Sequence, residues 1–132
     1  RSYYMRFDFE GLDTAVADKF MADLEAKLPT LNGKIYNGYT VSEAAPFVYN
    51  DPVDHSSTQN GLIVKFADGS RIVYRLSGTG SSGATLRVYL EKYEQNKLDE
   101  DPQKMLQPIL EIAMDIAEIT SRTGKQHADV IT

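Results

Sequence analysis

The sequence contains no cysteine, which excludes a disulfide framework, a thiolate nucleophile and any cysteine-based zinc site. A reducing, cytoplasmic setting fits that lack. Histidine is scarce: His55 and His127 are the two present, and neither has a serine or carboxylate at recognisable triad spacing. No apolar run approaches the roughly 20 residues of a membrane-spanning helix, and no charged, apolar, small-residue leader opens the chain; no membrane partner is expected. Basic charge is in deficit, with 14 Lys and Arg against 19 Asp and Glu and a net charge of −5. That argues against non-specific nucleic-acid binding, which needs a basic footprint. Metal-binding patterns are thin as well. Asp51, Asp54 and His55 lie close together on a polar stretch, but no further ligand stands at a known spacing. Glu111 and Asp115 share a helix face that reads as solvated rather than as an acid–base pair. No catalytic centre emerges.

What is present is an ordinary globular composition, 42% hydrophobic and 25% charged over 132 residues, the length of one domain. The chain begins at Arg1 rather than methionine, so a piece of something longer is expected. Residues 1–10 read as a linker and first strand, with Met5, Phe7 and Phe9 alternating with Arg6, Asp8 and Glu10. Asp13 can cap a helix whose stripe is Val16, Phe20, Leu24 and Leu28, ended by Pro29. Asn32-Gly33 and Asn37-Gly38 mark turns, and two short strands are expected at Gly38–Ser42 and Pro46–Tyr49. Asp51–Asn60 reads as a loop. Asp101-Pro102 opens a second helix whose apolar face runs from Met105 to Ile119, with Pro108 expected to kink or tighten it. Gly124 closes that helix, and Lys125–Thr132 is expected to trail off.

The centre of the chain is a meander. Asp68-Gly69 between the apolar runs Leu62–Phe66 and Arg71–Leu76 is a strong hairpin signal, and Thr85–Glu91 repeats the alternation. Between the last two strands lies Ser77-Gly78-Thr79-Gly80-Ser81-Ser82-Gly83. Its glycines let the backbone approach a ligand closely, and its hydroxyl and main-chain N–H groups can form an anion-holding concavity. Arg75 and Arg87 flank it on strand faces opposite the main apolar set, where a guanidinium fork suits phosphate oxygens. A flexible hairpin connection is the competing reading of the loop. Gly78-x-Gly80-x-x-Gly83 has dinucleotide-loop spacing, but a strand follows where a helix is needed.

Arg75-Leu76-Ser77-Gly78-Thr79-Gly80-Ser81 with Gly83-Ala84-Thr85-Leu86-Arg87 resembles the C-terminal phosphate-binding domain of the phosphoglucomutases, in the α-D-phosphohexomutase superfamily. Arg6-Phe7-Asp8-Phe9-Glu10, Tyr49-Asn50-Asp51-Pro52-Val53-Asp54, Arg122-Thr123-Gly124 and Val130-Ile131-Thr132 extend the resemblance along the whole chain. His55 stands where the family usually has glycine. The resemblance implies that residues 1–132 are the fourth domain of a four-domain enzyme, with an α+β, TATA-binding-protein-like fold: an antiparallel sheet covered by two helices. It implies that Arg75, Ser77, Gly78, Thr79, Gly80, Ser81 and Arg87 grip the non-reacting phosphate while glucose 1-phosphate and glucose 6-phosphate interconvert. The phosphoserine, the Mg²⁺ ligands and the turnover of glucose 1,6-bisphosphate are implied for the first three domains, which would be this one's partners. The fragment alone is then not catalytic. A non-catalytic paralogue, parafusin-like or adhesion-associated, is the alternative.

Overall fold

A computed structural model describes residues 1–49, 59–77 and 83–132. In chain order its elements are β1 (Ser2–Leu12), α1 (Thr14–Lys27), β2 (Ile35–Tyr36), β3 (Tyr39–Tyr49), β4 (Gln59–Phe66), β5 (Arg71–Ser77), β6 (Ala84–Tyr93), α2 (Pro102–Ala117), α3 (Ile119–Thr123) and β7 (Val130–Ile131). The strands form one antiparallel sheet in the order β2-β3-β4-β5-β6-β1-β7. The meander is therefore as expected, and β1 returns to lie beside its last strand.

Two-residue periodicity assigns the faces. Phe7 and Phe9 of β1, Leu62 and Val64 of β4, Ile72 and Tyr74 of β5, and Leu86, Val88 and Leu90 of β6 are all buried. They join Phe20 and Leu24 of α1 and Leu106, Ile109, Ile112 and Ile116 of α2 in a single core. Each fully buried aliphatic contributes about 1.5–3 kcal/mol, and a one-residue slip of any strand would turn its set outward. Both long helices thus cover one face, the α+β arrangement expected. Tyr74 ties the layers together by donating its buried hydroxyl to the Ala113 carbonyl at 2.7 Å. Lys27 joins α1 to the end of α2 through the Ile116 carbonyl, 2.7 Å away.

The helix ends follow their sequence signals. Asp13 accepts from the Val16 N–H at 3.1 Å, and Asp101 from the Gln103 N–H at 3.2 Å. Pro29 sits in a single 3-10 turn, Leu28–Thr30, beyond α1.

Four local expectations are corrected. The two strands expected at Gly38–Ser42 and Pro46–Tyr49 are one strand, β3, with an irregularity in register between Val41 and Glu43. Proline is tolerated there because β3 pairs with β2 only at Tyr39 and Thr40, leaving Pro46 on the sheet edge. The second helix, expected to run to Gly124, is interrupted at Glu118, where φ is 54°, and Gly124 caps α3 instead; Pro108 lies within α2. Val16 is 41% exposed instead of contributing to the core stripe. The tail does not trail off: Val130 and Ile131 pair with Asp8 and Phe7 as an edge strand. Main-chain bonds from Arg6 N to Thr132 O and from Thr132 N to Arg6 O, at 2.9 and 3.0 Å, fasten it.

Candidate phosphate site

The face of the sheet away from the helices carries the candidate site. In the β5–β6 ladder Arg75 is the direct partner of Arg87, followed by Leu76 with Leu86 and Ser77 with Thr85. Both arginines are half-buried, two ladder steps below the strand ends that launch the loop. Because β5 and β6 pair as neighbours, the two arginine positions come together in register. Ser77 closes β5. Gly78, Thr79, Gly80 and Ser81 lie outside the described residues, as do Asp51, Asp54 and His55.

Gly83 marks where the loop rejoins the sheet. Its φ is +90°, and a Cβ there would stand 2.6 Å from the Leu12 carbonyl oxygen. Only glycine allows β6 to start this close to the end of β1.

Like charges directly opposed on a sheet are destabilising, and the chain offsets this with a residue that sequence reasoning left without a role. Asp8 is the ladder partner of Arg87 on the β1 side, so Arg75, Arg87 and Asp8 form one row across three strands. The Asp8 carboxylate is almost wholly buried, at 2% exposure for the residue. Arg6 brackets it: Nη2 donates to Oδ2 at 3.1 Å, and Nε forms an ion pair with Oδ1 at 3.1 Å. Arg87 Nε stands 3.6 Å from Oδ2, an ion-pair distance beyond hydrogen-bond reach. The main chain of Asp8 is fixed as well, its carbonyl accepting the Asp129 N–H at 2.8 Å. The available signal was parity: Asp8 falls on the same face as Arg6 and, once the strands are paired, as Arg87.

Gly61, the partner of Arg75 on β4, is another informative position. A Cβ there would lie 2.4 Å from Phe47 Cε1 and 3.2 Å from Arg75 Cγ. The Phe47 ring thus occupies the space over Gly61 and stands beside the Arg75 stem. From Arg75 a groove of about 560 Å³ continues across the open face past Phe47, Ile63, Val73, Tyr89 and Tyr4. Tyr4 and Tyr89 have ring centroids 6.3 Å apart. Burial, then the neighbouring Tyr89, pushes the Tyr4 phenol above its usual range. Among the described residues no group of three His, Cys, Asp or Glu could hold a metal ion. No helix among them is long and apolar enough to cross a membrane.

A family model described as "Phosphoglucomutase-1, C-terminal domain" matches residues 1–129. The chain belongs to that family. Phosphoglucomutase-1 of Oryctolagus cuniculus and that of Homo sapiens are each 45% identical to it over 141 residues, covering 100% of this chain and 25% of theirs. Phosphoglucomutase of Schizosaccharomyces pombe is 44% identical over 138 residues, with the same coverage. Among solved structures, the open form of the exocytosis-sensitive phosphoprotein pp63/parafusin from Paramecium, itself described as a phosphoglucomutase, superposes with a TM-score of 0.79. It is 39% identical, and the match covers 100% of this chain and 23% of that one. The phosphoglucomutase resemblance and the α+β fold expected from the sequence are thereby borne out. The chain spans about a quarter of the length of the curated relatives it matches.

Proposed function

We propose that this chain is the fourth domain of a phosphoglucomutase and holds the phosphate of a hexose phosphate that is not being transferred. The observation that carries the reading is the direct pairing of Arg75 with Arg87 across β5 and β6, at the root of the Ser77–Gly83 loop. Two guanidinium groups on adjacent strands supply planar donor forks of the kind that bind phosphate bidentately. Ser77, Gly78, Thr79, Gly80 and Ser81 complete the grip with hydroxyl and main-chain donors. Holding one end of the sugar phosphate orients the other end for transfer between glucose 1-phosphate and glucose 6-phosphate. In this reading the reacting serine, Mg²⁺ and glucose 1,6-bisphosphate belong to other parts of a cytoplasmic parent, and this domain contributes binding and orientation without a catalytic group. The paralogue alternative gains no observation of its own. The parafusin structure is itself described as a phosphoglucomutase, and relatives more identical to this chain carry that name alone.

A ¹H–¹⁵N titration of the chain with glucose 6-phosphate, with glucose as control, tests the reading. Shifts confined to residues 75–83 and Arg87, and seen only with the phosphorylated sugar, are expected. Equal response to glucose, or shifts elsewhere on the sheet, would move the site away from this loop.

A further inference from the structure

We propose that Asp8 is a positioning residue for the phosphate grip, fixing the Arg87 guanidinium beside Arg75. The inference rests on the reading of that arginine pair as a phosphate site. Two cations in direct register repel each other, and an unrestrained arginine on an open sheet face would swing away from its neighbour. Asp8 stands on the far side of Arg87 from Arg75, in the same row, so its attraction holds Arg87 in line. The contact engages Arg87 at Nε, 3.6 Å from Oδ2. Nε is the root of the guanidinium, and both Nη groups stay outside that ion pair. Arg6 is what orients the carboxylate: it stands 3.1 Å from both oxygens, the paired cation that a buried carboxylate needs beside it. The backbone of Asp8 is clamped between β6 and the C-terminal strand. The carboxylate is therefore a fixed point, not a mobile counter-ion.

This role makes a prediction opposite to that of simple charge. Asp8→Asn removes a negative charge near an anion site, and Coulomb attraction alone would then tighten phosphate binding. Positioning predicts weaker binding. Two measurements on the 132-residue chain, whose sheet and helices build a hydrophobic core, separate the cases. The first is titration of wild type and Asp8→Asn with inorganic phosphate and with glucose 6-phosphate. A several-fold loss of affinity with the backbone spectrum otherwise retained is expected; equal or tighter binding would overturn the proposal. The second is the order of the Arg87 side chain, read from its Nε–Hε resonance without ligand. It should be rigid in wild type and mobile in Asp8→Asn, and an equally rigid Arg87 in both would overturn the proposal. Should Asp8→Asn fail to fold, Asp8→Glu keeps the charge but displaces it by one methylene. It should fold, with a shifted Arg87 resonance, and an unshifted one would count against Asp8. If wild type itself binds neither phosphate ligand, the phosphate reading falls, and the Arg87 resonance still decides whether Asp8 holds that guanidinium.

Discussion

The Leu12 carbonyl oxygen lies 2.6 Å from where a Cβ of Gly83 would be, so the end of β1 and the start of β6 are fitted to one another. The register irregularity between Phe9 and Leu12 brings the β1 end to this position, and Gly83 answers it with a φ of +90°. Gly83→Ala should therefore cost about 1–3 kcal/mol from backbone strain alone, with the clash against a main-chain atom added. Urea unfolding reads the loss. In the same variant phosphate affinity should fall, because the loop re-enters the sheet in a shifted position; retained stability would mean that β1 yields easily there.

Tyr74→Phe isolates a structural contact that has no part in the site. It removes the 2.7 Å hydrogen bond from Tyr74 to the Ala113 carbonyl and leaves the ring in place. A loss of about 1 kcal/mol is expected, or roughly 4 °C in Tm for a domain of this size. Glucose 6-phosphate affinity should not change, since the bond lies on the helix side of the sheet. A change in affinity would reveal coupling between the two faces.

Arg75→Ala and Arg87→Ala should each weaken phosphate binding by about 1–3 kcal/mol, the worth of a charge-assisted hydrogen bond. Neither should unfold the chain: each relieves the repulsion of two cations paired in register, and when Arg87 is removed Arg6 still pairs with Asp8. Titration calorimetry of both single variants and the double variant measures how far they act as one unit. Additive losses would point to separate sites, and smaller combined losses to one phosphate held by both. Arg75→Lys keeps the charge but loses the planar fork, so it should recover only part of the lost affinity.

Much of this architecture is legible in the residues. Strict alternation in Leu62–Phe66, Arg71–Leu76 and Leu86–Leu90 gave both the strands and their inner face, and Asp68-Gly69 gave the hairpin, with the Asp68 carboxylate accepting the Ser70 N–H at 2.8 Å. Long-range pairing is what a single sequence hides. Val130 and Ile131 are a two-residue strand, half-exposed, with no pattern to mark it until β1 is there to receive it. The break at Glu118 was masked because the apolar stripe runs on from Ile116 to the buried Ile119. The adjacency of Arg75 and Arg87 is legible because they stand on the two strands that flank the loop. Asp8, far away in sequence, becomes visible only when β1 is laid against β6.

The acid stability of the tail should depend on Asp129. Its carboxylate accepts the Glu10 N–H at 2.7 Å and pairs with Lys125 at 3.0 Å. The backbone hydrogen bond first, and then Lys125, hold its pKa below the ordinary 3.8. A carboxyl whose folded pKa is depressed adds stability that is fully present above the unfolded pKa and is lost as pH falls through the folded value. Wild type should therefore exceed Asp129→Asn by a constant margin at neutral pH, and the margin should close below pH 3.8. Asp23 offers a contrast. Its pKa is lowered in the same direction, but by the Lys19 and Arg122 side chains, both cations whose fields salt screens. Raising NaCl to about 0.5 M should thus shrink the Asp23→Asn effect more than the Asp129→Asn effect, since a directed N–H bond is screened less than exposed charge pairs. Chemical denaturation across pH at two salt concentrations measures both. Equal salt sensitivity would mean that Lys125, not the Glu10 N–H, is the main support of the Asp129 carboxylate.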